Sequence, residues 1–333
     1  MGVLYVTQED SLIKTELDRL IIVHEGKKLQ DIPLVRIDAV VIMGRVGITS
    51  GAVRVLMENR IPVSYLSNTG RPLGRLDPVP NKNNLLRRLQ YKLSDDSSGT
   101  LNIAREMIRG KITNQRAVLR SKEVGGESEE TKKVRVRLKE LAVSLDGVDN
   151  LDRLRGVEGE AASLYYSVFD SRIKKKEFSF PGRAKRPPTD PVNSLLSFAY
   201  TLLMNDIFGA VFAVGFDPYI GFLHADRYGR PSLALDLMEE FRPLVADAVV
   251  LSLINRGELT ASDFEEVLGK TWYLKREGKK TFLRAYENKK HQAFRHPFFG
   301  KRTTYCQSFL DQAVILAKAV RGEISKYVPL TMR

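Results

Sequence analysis

The sequence predicts an α+β protein: a small N-terminal β-rich sheet domain over residues 1–76, followed by a larger all-α region over 85–333. Three observations carry this. Short apolar runs bounded by turn residues fill the first part, and helical periodicity fills the rest. Between them, residues 77–84 (Asp77-Pro-Val-Pro-Asn-Lys-Asn-Asn84) have the composition of a linker. The β-like runs are 3–6, 20–23, 40–43 and 61–66, and 49–59 reads as a helix between the last two. Beyond the linker the helical stretches are 85–92, 101–120, 132–145, 151–169, 192–214, 233–255 and 306–320. Asp190 before Pro191 marks a helix start, Gly257 a helix stop, and Ser262-Asp-Phe-Glu265 resembles a capping box. The polar stretch 122–131, with two adjacent glycines, reads as a mobile loop. No repeat of 20–50 residues is present, which argues against a solenoid.

At 333 residues the chain is long enough for two cores, and 43% hydrophobic residues argue against disorder. Lys and Arg number 53 against 40 Asp and Glu, a net charge of +13. This balance favours a polyanionic partner, nucleic acid first, although a basic enzyme with a solvated surface has the same composition. No uninterrupted apolar run reaches the ~18 residues of a membrane span, and residues 1–25 lack the regions of a signal peptide, so a cytoplasmic protein without membrane association is expected. The single cysteine, Cys306, excludes an internal disulfide and a multi-cysteine zinc site, and reads as a small buried apolar residue.

Glu158 stands where a leucine belongs. Leu151, Leu154, Ala161, Tyr165 and Val168 form a helical stripe, and Glu158 fills its gap. A carboxylate on an inward face needs a partner, because burying it bare costs several kcal/mol or forces protonation. The flanking Gly156 and Gly159 cost a helix roughly 1 kcal/mol each, which suggests something large packed against the backbone. Two further segments supply hard ligands: Gly221-Phe-Leu-His224 and Asp236-Leu-Met-Glu-Glu240. Asp236, Glu239 and Glu240, at i, i+3 and i+4, share one side of a helix, where a bound cation would relieve their repulsion. Taken singly, such acids also suit a solvated helix face or a salt bridge, and a lone histidine suits a hydrogen-bonded core. Taken together on a basic chain, two carboxylates and an imidazole suit Mg²⁺ or Mn²⁺ better than zinc, and point to phosphodiester chemistry.

Two basic clusters follow. Lys174, Lys175, Lys176, Arg183, Lys185 and Arg186 lie just after the Glu158 helix; Lys289 and Lys290 lie in 273–302, interleaved with Tyr273, Phe282, Tyr286 and Phe294. Cations with aromatics suit splayed or single-stranded DNA ends, and His291 and His296 read as surface or DNA-facing residues. The motifs of P-loop ATPases, dinucleotide enzymes, serine hydrolases and zincins are all missing.

Arg155-Gly-Val-Glu-Gly159, Gly221-Phe-Leu-His224 and Leu235-Asp-Leu-Met-Glu-Glu-Phe-Arg-Pro243 resemble the three signature blocks of the CRISPR-associated endonuclease and integrase of spacer acquisition, the first-numbered Cas protein family. Tyr65-Leu-Ser-Asn-Thr-Gly70, Asp190-Pro-Val-Asn-Ser194, Tyr286-Glu-Asn-Lys-Lys290 and His296-Pro297 extend the resemblance over nearly the whole chain. The resemblance implies a β-rich N-terminal dimerisation domain, an all-helical catalytic domain, and a heterohexamer in which two homodimers flank a dimer of the small second-numbered Cas protein. It further implies that Glu158, His224 and Glu239 are the catalytic and metal-binding residues, with Asp236 in support. Some relatives carry aspartate where this chain has Glu239. The implied reaction is metal-dependent insertion of captured DNA fragments into a CRISPR repeat by 3′-hydroxyl attack, with a stand-alone nuclease on branched or single-stranded DNA as the alternative.

Overall fold

The computed structural model describes residues 2–79, 83–121, 128–184, 187–225, 227–267, 269 and 271–332. The chain divides into two compact units, Met1–Pro80 and Asn81–Arg333. In the first unit the strands are β1 (Gly2–Val6), β2 (Leu12–Glu16), β3 (Arg19–His24), β4 (Lys27–Pro33), β5 (Ile37–Met43), β6 (Gly47–Ile48), β7 (Val63–Leu66) and β8 (Pro72–Leu76), with α1 (Ser50–Glu58) between β6 and β7. They form two four-stranded sheets, ordered β1-β5-β7-β8 and β4-β3-β2-β6, where the sequence suggested a single small sheet. In the first sheet β1, β5 and β7 run parallel, as their nearly continuous apolar sequences require. The core of this unit gathers Ile13, Leu20, Ile22, Val40, Ile42, Leu56 and Val63. Thr49 caps α1 through a bond from Ala52 N.

The second unit holds α2 (Asn84–Asp95), α3 (Ser97–Arg120), α4 (Glu129–Ser144), α5 (Leu151–Ser167), α6 (Pro191–Val214), α7 (Ser232–Met238), α8 (Ala248–Arg256), α9 (Arg276–Lys290) and α10 (Tyr305–Val320). It also carries two antiparallel ribbons, β9 (Phe264–Val267) with β10 (Thr271–Leu274) and β11 (Ala293–Arg295) with β12 (Arg302–Thr304), so helices dominate it without filling it. The capping box lies two residues earlier than read from sequence: Thr260 and Asp263 close one 3₁₀ turn, and Glu265 is already in β9. Residues 122–127 of the expected loop lie outside the described residues, while 129–131 belong to α4.

α6 is the central helix. Asp190 caps it, Gly215 ends it in the left-handed conformation, and α7, α8 and α10 pack on it. Its composition and length would suffice for a membrane span, which a count of uninterrupted apolar runs overlooks. More than half of its most apolar window is buried within the unit, so packing accounts for that apolarity.

The stretch 233–255 is broken where the sequence suggested one helix. α7 ends at Met238, Glu239 and Glu240 form a turn, and Arg242–Asp247 widens into π-helix before α8. Pro243 supplies the reason: it has no N–H to donate and its ring crowds the preceding carbonyls, which a wider turn relieves. The break decides where the two glutamates go.

Candidate active site

Helix α5 is capped by Asn150, whose Oδ1 accepts from Arg153 N at 2.9 Å. Leu154, Ala161 and Tyr165 are buried and Glu158, between them, keeps 30% of its side chain exposed. Among the described residues the space over Gly156 and Gly159 is open: a Cβ at either would meet nothing within 4 Å, contrary to the close packing their presence suggested. The partner the carboxylate finds is Lys111, one of the buried residues of α3. Its Nζ donates to Glu158 Oε1 and lies 2.7 Å from Glu239 Oε2. Two acids from α5 and from the turn after α7 therefore meet on one ammonium.

Glu239 is buried and also pairs through Oε1 with Arg242 Nη1 at 2.6 Å. Burial alone would push its carboxyl up; Arg242, Lys111 and then His224 outweigh that and hold it at about 2. It is ionised at neutral pH. Although close to Lys111, Glu239 Oε2 makes no hydrogen bond of good geometry among the described residues. Arg242 itself lies 5.1 Å from the ring centroid of Tyr200, whose hydroxyl donates to Asp247 at 2.6 Å; Tyr165 donates to the same carboxylate at 3.0 Å. Burial pushes Asp247 up to about 6, with the two tyrosine hydroxyls opposing only in part.

The second motif is built around Asp236, which is fully buried. Its Oδ2 accepts from the backbone N–H of Phe222 (2.6 Å) and Leu223 (2.9 Å); its Oδ1 accepts from His224 N (3.0 Å) and pairs with His224 Nδ1 (2.6 Å). Gly221 makes this approach possible, since a Cβ there would sit 2.7 Å from Asp236 Oδ2 and 2.9 Å from the carbonyl carbon of Ser232. Asp236 thus fixes the loop and commits one ring nitrogen of His224, leaving Nε2 for a ligand.

Glu240 turns away from its neighbours. It accepts from Tyr327, Gln312 and Leu330 N, and burial pushes its carboxyl up to about 8. The three acids of the third motif therefore point to three different environments, where an unbroken helix would have aligned them. Among the described residues no three His, Cys, Asp or Glu side chains form a ready-made metal cluster. The donor set nevertheless fits a hard divalent cation: Glu158 and Glu239 already share a cation, the Lys111 ammonium; one buried carboxylate oxygen lacks a well-formed hydrogen bond; and His224 is close enough to Glu239 to lower its pKa.

Of the basic residues, Lys174, Lys175 and Lys176 are exposed. Lys290 is only 1% exposed and ion-paired with Asp206 and Glu287, so its ammonium is already spent inside the unit and does not reach a phosphate. Arg183 is half-buried and donates to Asn193 and Ser197. Lys289 lies over the Tyr305 ring and donates to Gln292. Lys185 and Arg186 lie outside the described residues. Phe282 and Tyr286 are core residues of α9 and His296 is buried, which removes them from any surface for stacking bases; Cys306 is half-buried. Sequence reasoning passed over Lys111 and Arg242, the two cations that organise the site.

The chain matches the family model of CRISPR associated protein Cas1 over residues 4–288. It is 38% identical over 335 residues to the CRISPR-associated endonuclease Cas1 3 of Thermus thermophilus, covering 100% of this chain and 98% of the relative. Among solved structures it is similar to a casposase bound to integration product, with a TM-score of 0.84, 25% identity, and 98% of this chain and 93% of that one covered. It is also similar to a Cas6-RT-Cas1–Cas2 complex chain, with a TM-score of 0.82 and 26% identity over 98% of this chain and 36% of that one. The chain belongs to the Cas1 family.

Proposed function

We propose that this chain is a metal-dependent DNA endonuclease and integrase that inserts captured fragments into a CRISPR array. The observation that carries the reading is the meeting of Glu158 and Glu239 on a single cation beside a histidine whose ring Asp236 orients. Glu158, Glu239 and His224 Nε2 would hold Mg²⁺ or Mn²⁺. When bound, such an ion lowers the pKa of a hydroxyl and offsets the negative charge that builds on a phosphate under attack. The chain's own residues do the rest. Arg242 keeps Glu239 ionised, Asp236 holds the imidazole in one orientation, and the open face over Gly156 and Gly159 leaves room for a DNA strand beside Glu158. The exposed Lys174–Lys176 run suits backbone phosphates and reads no sequence.

With the 3′-hydroxyl of a fragment as nucleophile the product is a joined strand; with water it is a nick, which the endonuclease name of the curated relatives favours as a second activity. The similar Cas6-RT-Cas1–Cas2 complex supports Cas2 as a partner; in this reading the first unit serves as the dimerisation domain, and two homodimers flank a Cas2 dimer in a heterohexamer. The test is strand transfer of a 3′-hydroxyl oligonucleotide into a repeat-containing duplex with Mn²⁺. Glu158→Ala, His224→Ala and Glu239→Ala each lower the rate by about 100-fold or more with duplex affinity kept, and EDTA stops the wild type. Activity in EDTA would contradict the metal; hydrolysed ends with no joined product would leave the nuclease alone.

A further inference from the structure

The irregular segment after α10 closes on the turn that presents Glu239. Tyr327 and Leu330 are buried, and between them they supply two of the three donors to Glu240: Tyr327 Oη–H to Oε1 at 2.8 Å and Leu330 N–H to Oε2 at 2.9 Å. Gln312 of α10 supplies the third at 3.0 Å and also donates to Tyr327 Oη at 2.8 Å. From the other side, Asn114 of α3 donates to the Glu240 carbonyl (2.8 Å) and to the Leu330 carbonyl (2.7 Å), and accepts from Met332 N (2.9 Å). Gly110 lets the segment in: a Cβ there would lie 2.6 Å from Pro329 Cβ and 3.3 Å from Glu240 Cβ. Lys111, which bridges Glu158 and Glu239, stands between Gly110 and Asn114 on the same helix.

We propose that Tyr327–Met332 is a positioning strap for the acid pair, with Glu240 as its anchor. The strap binds the side chain of Glu240 directly and is tied, through Asn114, which also holds the Glu240 carbonyl, to the helix that carries Lys111. It thereby fixes the turn from which Glu239 projects. A buried carboxyl group that loses such donors is left unsatisfied, and the turn then has reason to rearrange. Glu240 touches neither DNA nor a reacting atom; it acts through its neighbour. This role rests on the proposed strand-transfer reading for its consequence in catalysis, though not for its geometry.

Two full-length variants test it. Gly110→Ala crowds the strap at Pro329 and also Glu240 itself while every donor stays; Leu330→Pro removes one donor and adds nothing at Gly110, so it separates loss of the strap from crowding of Glu240 and carries the test if the first does not fold. Amide exchange is followed over 327–332 and 239–247, together with strand transfer and duplex affinity. The strap predicts faster exchange in both segments and kcat lower by about 10- to 100-fold, as misplacement of a reacting group by ~1 Å produces, with duplex affinity unchanged. A merely structural segment would loosen at 327–332 while 239–247 keeps its protection and kcat stays at the wild-type value, and that result overturns the proposal. If the wild type joins no strands, the functional reading fails and exchange at 239–247 alone still decides for or against the strap.

Discussion

Glu239 and Glu240 are adjacent and equally buried, yet they differ in charge state. Glu239 faces two cations and is held at about 2; Glu240, among the described residues, faces neutral donors and is pushed up to about 8. Burial penalises both carboxylates, and the three hydrogen bonds to Glu240 recover only part of that cost, whereas Arg242 and Lys111 more than cancel it for Glu239. A buried acid stays ready for a divalent cation only where other cations already keep it ionised. The pair thus separates a ligand side of the turn from a structural side.

The sharpest way to break this contrast is to remove the shared cation. Lys111→Met leaves Glu158 and Glu239 without their bridge, and breaking a buried pair of this kind costs about 3–5 kcal/mol. The expected outcome in thermal melts is a large loss of stability in EDTA that Mn²⁺ restores more in this variant than in the wild type. Equal Mn²⁺ effects on the two chains would mean that the acids and the ion do not share one site.

Next in size is the dependence of stability on pH. Because Glu240 is raised from its ordinary value to about 8, the stability it allows is full below about 4.5 and is lost as pH rises toward 8, by at most about 1.4 kcal/mol per pH unit. Glu239, depressed to about 2, contributes in the opposite sense: its stabilisation is present above the ordinary glutamate range and lost as pH falls through 2. Melting curves of Glu240→Gln between pH 5 and 8 are expected to be flatter than those of wild type; parallel curves would remove the contrast.

The smallest effects concern the basic residues. Replacing Lys174, Lys175 and Lys176 by alanine is expected to weaken duplex binding and to reduce the salt dependence by about 0.9 per lost phosphate contact. Lys290→Ala, by contrast, strips a buried ion pair and is expected to lower the melting temperature while the salt slope stays put. A shallower salt slope for Lys290→Ala, measured by anisotropy titration, would restore it as a DNA contact.

Much of the fold was legible because it depends on local pattern. Short apolar runs such as 40–43 and 61–66 announce strands, and the structure pairs them in parallel. β4 was not legible, since its residues Lys27–Gln30 are exposed and carry no alternation, and β2 buries only Ile13. α9 hid behind its lysines, although Phe282, Leu283 and Tyr286 have the spacing of a helix face. Pro243 was visible but its effect was not, because a proline in a long apolar stretch can break, kink or widen a helix and only packing chooses. The candidate site was legible as three motifs, and the reason for Gly221 became clear only from the approach of Asp236. Lys111 gave no signal: its partners are far away in sequence, and a lysine within an amphipathic helix reads as a side chain reaching for solvent.

The most direct test is the anomalous difference density of crystals grown with Mn²⁺. One peak in contact with the carboxylates of Glu158 and Glu239 and with His224 Nε2, and Lys111 Nζ displaced from between the acids, is the expected result. A peak held elsewhere, with Lys111 still bridging the two glutamates, would contradict the account at its centre.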